Sequence, residues 1–281
     1  MLANLNDVLL PAQKGGYAVG LFNSIDTDML QAVIDAAETL RAPLILGTAE
    51  VLLPYGELKL IAPSVIAAAR RASVPVVVHY DHGLTFERCM EALQLGFTSV
   101  MYDGSAQPYE ENAANTREIV RIAHAFGATV EGEIGHVGSA DQPRGEGGYT
   151  TAQEAARYLQ DTGVDALAVA VGTAHGVYRV KPRLSLRRLE EIRAATAVPL
   201  VLHGGSGLSD DDFRGAIASG IAKINIFTDL CLAGMEALAR AQADGLDYLR
   251  ARNKKVAAIR EAVKGKMRLF GCAGRACGAN E

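Results

Sequence analysis

The chain has 281 residues, 49% of them hydrophobic, and a formal net charge of −4, so it is long enough to bury a large core. The weakly acidic balance and the lack of a basic stripe argue against a nucleic-acid binder. No apolar run reaches the roughly 18 residues of a membrane span and no signal peptide is recognisable, so we expect a cytoplasmic protein with free thiols.

Eight short apolar runs recur along the chain, and a polar loop and an amphipathic segment follow most of them. Most are rich in β-branched residues and several follow Pro or Gly, which is typical of buried parallel strands. The runs are Tyr17–Phe22, Pro43–Leu46, Pro75–Val78, Ser99–Tyr102, Thr129–Ile134, Ala166–Val171, Pro199–Leu202 and Ala222–Ile226. Eight strand–helix units in this length predict one α/β domain, a single (β/α)8 TIM barrel over residues 1–281.

The alternative fold is a doubly wound open sheet, which usually carries a glycine-rich loop after its first strand. Here Asn23-Ser24-Ile25-Asp26 follows the first strand, and the barrel is therefore favoured. Beyond the eighth unit, Asp247 to Phe270 has a basic, helical pattern, and we expect it to pack across the barrel or onto a neighbouring subunit. Residues from about 271 to 281, which include Cys272 and Cys277, are expected to form a disordered tail.

Three of the six histidines fall just past predicted strands, at the end of the barrel where active sites are assembled. They are His82, His175 and His203, after the third, sixth and seventh strands. Three imidazoles converging there would make a divalent metal site with an open coordination position, able to polarise a carbonyl. The alternative is that these are polar loop residues with hydrogen-bonded imidazoles. That alternative would be preferred for a single histidine, but not for three at these positions.

Asp81 adjoins His82 and could act as a ligand, an orienting group or a general acid/base. In a regular strand, alternation sends His79 and Asp81 to one side and Tyr80 and His82 to the other. Asp81 and His82 can therefore face one metal only if the chain leaves regular strand geometry near them. His79 is expected to be a packed, hydrogen-bonded residue of the barrel.

The run Gly204-Gly205-Ser206-Gly207 follows the seventh strand and precedes a helix start. Free amides in a glycine-rich turn form an anion cradle, and barrels often hold phosphate with the loops after strands seven and eight. Asn225 and Thr228, at the eighth strand, fit as further donors. The pattern predicts a phosphate site, with a flexible turn as the alternative.

Carboxylates occupy two further positions of interest. Asp103 and Glu133 stand at the ends of the fourth and fifth strands, and they could form a second metal position, orient ligands, or make an ion pair or helix cap. The glycine-rich stretch from 135 to 150 is long for a connection and is predicted to be a mobile lid. It carries Asp141, Arg144 and Glu146. His136, which is predicted to be structural, lies at its N-terminal end.

Seven segments resemble the class II fructose-bisphosphate and tagatose-bisphosphate aldolases, and the likeness covers nearly the whole chain. They are YAVGLFN (17–23), HYDHG (79–83), SVMYD (99–103), EGEIGHVG (131–138), DALAVAVGTAHGVY (165–178), PLVLHGGSGLSDDD (199–212) and AKINIFTDL (222–230). The chain looks closest to the shorter, tagatose-type branch. The resemblance implies a lyase that reversibly cleaves a ketose 1-phosphate or 1,6-bisphosphate to dihydroxyacetone phosphate and an aldehyde, and a homodimer or homotetramer.

The resemblance also implies roles for individual residues. His82, His175 and His203 match the ligands of Zn²⁺ or another divalent metal, with Asp103 and Glu133 near an alternative metal position. Asp81 would exchange a proton with the C4 oxygen. Some relatives also bind a monovalent cation near the positions of Gly176 and Gly204. The residues expected to contact the sugar phosphate are Asn23, Gly176, Gly204, Gly205, Ser206, Asn225 and Thr228.

The lid departs from the family pattern. In the family an acidic residue of the lid moves the proton of the enediolate. Counting from Glu133, that residue would be Asp141 here, with Glu146 as the alternative. No basic residue that could bind a distal phosphate can be identified. An aldolase for another 1-phosphoketose and an inactive sugar-phosphate-binding paralogue therefore stay open. Lys223, on the eighth strand, is the main candidate for a Schiff-base lysine, but the three histidines argue against that route.

A metal-dependent hydrolase on a barrel is the other enzyme class that we considered. Such barrels usually open with an HxH pair on strand one, and Phe22-Asn23 stands there instead. A hydrolase is therefore disfavoured.

Overall fold

The structure is a computed structural model that describes residues 1–137, 148–176, 178 and 182–276. Its strands are all parallel where they pair. They are β1 (Leu2–Ala3), β2 (Val19–Asn23), β3 (Leu44–Ala49), β4 (Val76–Gly83), β5 (Ser99–Tyr102), β6 (Thr129–Ile134), β7 (Ala166–Val169), β8 (Leu200–Leu202) and β9 (Ile221–Ile226).

Ten α-helices are found in the described residues, together with a short 3-10 helix over Glu50–Tyr55. The helices are α1 (Leu5–Gly15), α2 (Thr27–Leu40), α3 (Leu58–Arg71), α4 (Phe86–Leu95), α5 (Tyr109–Ala125), α6 (Ala152–Thr162), α7 (Leu186–Ala195), α8 (Asp210–Ala218), α9 (Thr228–Ala243) and α10 (Tyr248–Leu269). A search of these described helices finds no candidate for a membrane span.

Strands β2 to β9 close into an eight-stranded barrel, because β2 pairs with β9 and β4 pairs with both β3 and β5. The predicted (β/α)8 fold is confirmed, and each predicted run corresponds to one barrel strand. Short β1 pairs with β4 outside this ring. Helix α1 contacts β2, β6 and β9, and thereby covers the N-terminal end of the barrel.

The predicted departure from regular geometry occurs at the end of β4. The register of β4 against β5 shifts between Tyr80 and Gly83, and His82 has a left-handed φ of 49°. A bulge of this kind redirects side chains and is common beside active sites. It lets Asp81 and His82 both line the cavity described below.

The C-terminal segment forms helix α10, which packs against α2 and α9. Asp28 on α2 lies 2.7 Å from the guanidinium of Arg252 and 2.8 Å from the ammonium of Lys255. The prediction of a disordered tail was wrong for residues 271–276. Cys272 is fully buried, and the Ala276 N–H donates to the backbone carbonyl of Arg41. Composition alone had suggested disorder; residues 277–281, including Cys277, lie outside the described residues.

Candidate active site

The three predicted histidines meet at the C-terminal mouth of the barrel. His82 Nε2 lies 2.7 Å from His203 Nδ1, and nitrogens of His82, His175 and His203 all fall within 4.8 Å of one another. The buried Nε2 of His175 has no hydrogen-bond partner among the described residues. Inward-facing nitrogens that lack other partners are the donor set that a divalent transition metal requires.

Two carboxylates orient this imidazole cluster from outside. Asp103 Oδ2 lies 2.7 Å from Nδ1 of His82, and Glu131 Oε1 lies 2.8 Å from Nε2 of His203. Carboxylates in this position fix the ring orientation and the tautomer of metal-binding histidines and make the inner nitrogen a better ligand. These two hydrogen bonds therefore leave Nε2 of His82 and Nδ1 of His203 directed toward the cluster.

A second group of oxygen and nitrogen donors adjoins the first. Atoms of His82, Asp103 and Glu133 also lie within 4.8 Å of one another. Burial and the negative charge of Asp103 raise the pKa of Glu133 to about 8. A cation bound to either group of donors would therefore favour the ionised form of the Glu133 carboxyl group.

The three imidazoles differ in pKa because their charged neighbours differ. Burial and the charge of His82 lower the pKa of His175 to about 3, and the same two causes lower the pKa of His203. Burial also opposes a charge on His82, but the neighbouring Asp81 and Asp103 raise the pKa of His82 to about 9. His175 and His203 are therefore neutral, the form that binds metal, at neutral pH.

Asp81 is held between two amide side chains. Asn23 Nδ2 donates to Oδ2 at 2.9 Å, and Asn225 Nδ2 donates to Oδ1 at 3.0 Å. Burial would raise the pKa of Asp81, but the positive charge of His82 and Lys223 lowers it well below its usual range. The sequence predicts both asparagines as substrate contacts, and in the structure both line the cavity while their Nδ2 groups donate to Asp81.

A buried ionic network below the cluster was missed from the sequence. Glu131, fully buried, lies 2.7 Å from the ammonium of Lys223 through its second oxygen. His79 packs beside them, with Nδ1 2.8 Å from Ser99 Oγ, and its pKa is lowered to about 3 by burial and the charge of Lys223. Lys223 is thus the buried ion-pair partner of Glu131. The one sequence feature that could have pointed to Glu131 was its two-residue spacing from Glu133, which places both side chains on the same face of the strand.

The predicted phosphate cradle brings together the ends of β7, β8 and β9. Gly204 has a φ of 63°, and a Cβ there would fall 2.2 Å from the carbonyl oxygen of Ala174. The Tyr178 hydroxyl accepts from the Ala174 N–H and lies 2.8 Å from the Gly204 carbonyl oxygen. Ser206 Oγ accepts backbone N–H groups at the start of α9, where positive helix-dipole charge favours an anion.

Most of the predicted site residues line one cavity of about 480 Å³. Of those in the described part of the chain, only His203 and Glu133 are not part of its lining; the lining ones are Asn23, Asp81, His82, Asp103, His175, Gly176, Gly204, Gly205, Ser206, Asn225 and Thr228. His136 also lines it and is tied through Nδ1 to Ser105, 2.9 Å away. Asp141 and Glu146 lie outside the described residues.

Comparison with known proteins agrees with this architecture. A family model described as fructose-bisphosphate aldolase class-II matches residues 3–275. A probable fructose-bisphosphate aldolase of Bacillus subtilis is 40% identical, and a fructose-bisphosphate aldolase of Staphylococcus aureus is 37% identical; each match covers 98% of this chain and 99% of the relative.

Solved structures agree as well. The YdjI aldolase of Escherichia coli K12 superposes with a TM-score of 0.91 at 38% identity, covering 99% of this chain and 100% of that one. A putative fructose-1,6-bisphosphate aldolase of Coccidioides immitis gives 0.86 at 29% identity, with 96% of each chain covered. With the family model and relatives above 30% identity spanning almost the whole chain, the protein belongs to the class II fructose-bisphosphate aldolase family and is an aldehyde-lyase.

Proposed function

We propose that the protein reversibly cleaves a 1-phosphoketose between C3 and C4, releasing dihydroxyacetone phosphate and an aldehyde. The observation that carries this is the placement of Asp81 next to a cluster of three imidazoles, in a cavity that the predicted phosphate cradle also lines. Relatives named as fructose-bisphosphate aldolases support the reaction type. The proposal extends to a divalent cation, with Zn²⁺ the best fit to three imidazoles.

His82, His175 and His203 would hold the cation, with Asp103 and Glu133 available as alternative donors. When bound, a divalent cation supplies a Lewis acid to the ketose carbonyl. Asp103 and Glu131 fix two of the rings from outside, so the ligand set is positioned before the substrate arrives.

In this proposal Asp81 removes the proton from the C4 hydroxyl during cleavage. Its lowered pKa keeps the carboxylate ionised, and Asn23 and Asn225 keep it aimed at the cavity. As the C4 oxygen becomes the aldehyde carbonyl, the C3–C4 bond breaks, and its electrons pass to the three-carbon fragment. That fragment takes a proton at C3, for which Asp141 or Glu146 is the candidate donor, and leaves as dihydroxyacetone phosphate.

Gly204, Gly205 and Ser206, with Thr228 at the start of α9, would bind the C1 phosphate. Gly176, directly after His175, lines the same end, and a monovalent cation there would add to the charge balance of the phosphate. The oligomeric state proposed from the family is a homodimer or homotetramer.

The test is a cleavage assay on metal-loaded protein with fructose 1-phosphate, tagatose 1-phosphate and their 1,6-bisphosphates, each with and without EDTA. We expect EDTA-sensitive release of dihydroxyacetone phosphate from at least one compound. A binding paralogue without activity would instead bind dihydroxyacetone phosphate and fail to exchange its C3 hydrogen with solvent, which loss of a tritium label would reveal.

A further inference from the structure

The end of the cavity away from the phosphate cradle has an apolar wall. We define this wall as Ala49, Val51, Leu52 and Leu84, all of which line the cavity. Three of them are on or next to the 3-10 helix after β3, and Leu84 directly follows β4. Val51 is 63% exposed and Leu84 47% exposed, so both present side chains at the cavity entrance and not in the core.

The wall lies beyond Asp81 as seen from the cradle. Strand β4 is opposite β8 in the ring of eight, four strands away in either direction, so Leu84 and the Gly204 turn are on opposite sides of the mouth. Ala49 is in register with Asp81 on the neighbouring strand. A ketose with its C1 phosphate in the cradle and its C4 oxygen at Asp81 therefore extends C5 and the following atoms toward the wall.

The wall is fixed in place. Glu50 Oε2 accepts the Leu84 backbone N–H at 2.9 Å and the Tyr80 hydroxyl at 3.0 Å, which ties the 3-10 helix to the end of β4. The group anchoring the wall is thus itself acidic. Among the described residues that line the cavity there is no lysine or arginine, and the ionisable groups that line it from β4 and the end of β5 are Asp81, His82 and Asp103.

A phosphate at the apolar wall would lose water without gaining a lysine or arginine donor from the described lining, which is unfavourable. An uncharged chain with hydroxyl or alkyl groups would cover the wall without that cost. We infer that the aldehyde half of the substrate carries no phosphate, so that the enzyme acts on 1-phosphoketoses in preference to 1,6-bisphosphates. This inference rests on the proposed aldol reaction and specifies its second substrate.

The experiment is aldol synthesis with metal-loaded enzyme, dihydroxyacetone phosphate and matched aldehydes: D-glyceraldehyde against its 3-phosphate, and glycolaldehyde against its phosphate. Running the reaction in this direction makes the assay independent of the C4 configuration. We expect kcat/KM for each unphosphorylated aldehyde to equal or exceed that of its phosphorylated partner. If kcat/KM were about tenfold or more higher for the phosphorylated aldehydes, the inference would be overturned, because that factor corresponds to one charge-assisted hydrogen bond to the phosphate.

The variant Leu84→Arg adds a cation at the wall. It should shift the ratio of phosphorylated to unphosphorylated aldehyde use upward by about tenfold, whereas Leu60→Arg, at a 74% exposed position on α3 that does not line the cavity, should leave the ratio unchanged. Equal ratios in the wild type and the Leu84→Arg variant would refute the placement of the wall.

Loss of tritium from labelled dihydroxyacetone phosphate separates the two levels of the argument. Exchange without condensation of any of these aldehydes would leave the proposed reaction standing and count against the inference. No exchange by metal-loaded enzyme would defeat the proposed function, and the inference with it.

Discussion

At the cradle-and-imidazole end of the cavity, Asp81 is fixed between two amides, and His82 and His203 are each held by a carboxylate. The far end is lined instead by apolar side chains on a 3-10 helix and a loop. At the first end Asn23, Asp81, His82 and Asn225 are on barrel strands, whose positions the barrel fixes. The second end uses mostly connections, which vary more easily. Under the proposed function, the comparison assigns proton transfer at C4 to side chains fixed by barrel strands and the choice of aldehyde to side chains on the connections.

The largest effect should come from removing a nitrogen at the polar end. His175→Ala takes away the ring whose Nε2 is buried without a partner among the described residues. Because Lewis-acid stabilisation is worth several kcal/mol, we expect cleavage to fall by about a thousandfold or more. Bound metal, measured by plasma emission after dialysis, should fall in parallel while circular dichroism stays unchanged; full activity with full metal would contradict the assignment.

Asp81→Asn separates proton transfer at C4 from the rest of the site. Carbon–carbon cleavage should fall by about a hundredfold or more, as is typical when a general acid/base is lost. Tritium exchange from dihydroxyacetone phosphate should persist, because that step does not involve the C4 oxygen. Metal content serves as the control for local structure, and a parallel loss of exchange would mean that Asp81 has another role.

Glu131→Gln and Glu133→Gln form a matched pair two residues apart on β6. The positive charge of Lys223 and the contact with His203 outweigh burial and lower the pKa of Glu131 to about 2, whereas burial and Asp103 raise that of Glu133 to about 8. Glu131→Gln leaves the Lys223 ammonium buried without its partner, so unfolding free energy should drop by about 3–5 kcal/mol.

The same pair should differ in metal affinity. Weaker orientation of His203 in the Glu131→Gln variant should lower metal affinity by about 10- to 100-fold, measured with a competing chelator.

In a urea titration, the Glu133→Gln variant should lose less stability than the Glu131→Gln variant, because its amide resembles the protonated acid. Equal losses of stability in the two variants would show that Lys223 does not depend on Glu131.

The smallest effect should come from the far end. Val51→Ser changes the apolar wall at a 63% exposed position, so its unfolding free energy should stay within about 0.5 kcal/mol of the wild type. Tritium exchange should also be unchanged, because dihydroxyacetone phosphate does not reach the wall. A clear loss of exchange would break the division between the two ends.

The sequence predicted the parts whose signal is local. Buried strands show as apolar runs, and strand ends in a barrel collect functional residues, so β5 and β6 were predicted to the residue and the three histidines were found. The bulge at His82 followed from the alternation rule, because two adjacent side chains could not otherwise face one site.

Other features depend on contacts between distant segments, which one sequence does not reveal. Asn23 and Asn225 hold Asp81 across 58 and 144 residues, and Glu131 meets Lys223 from a different strand. The tail prediction failed for a related reason: glycine-rich composition suggested disorder, but Gly274 donates its N–H to the Leu40 carbonyl near the end of α2.

The most direct test of the central claim compares chelation with borohydride trapping on the wild-type enzyme. After EDTA and dialysis, release of dihydroxyacetone phosphate should stop and return on adding Zn²⁺, and borohydride with substrate should form no covalent adduct, because Lys223 is paired with Glu131 in the core. Activity that survives metal removal, with an adduct trapped on Lys223, would contradict the account and assign the reaction to a Schiff base.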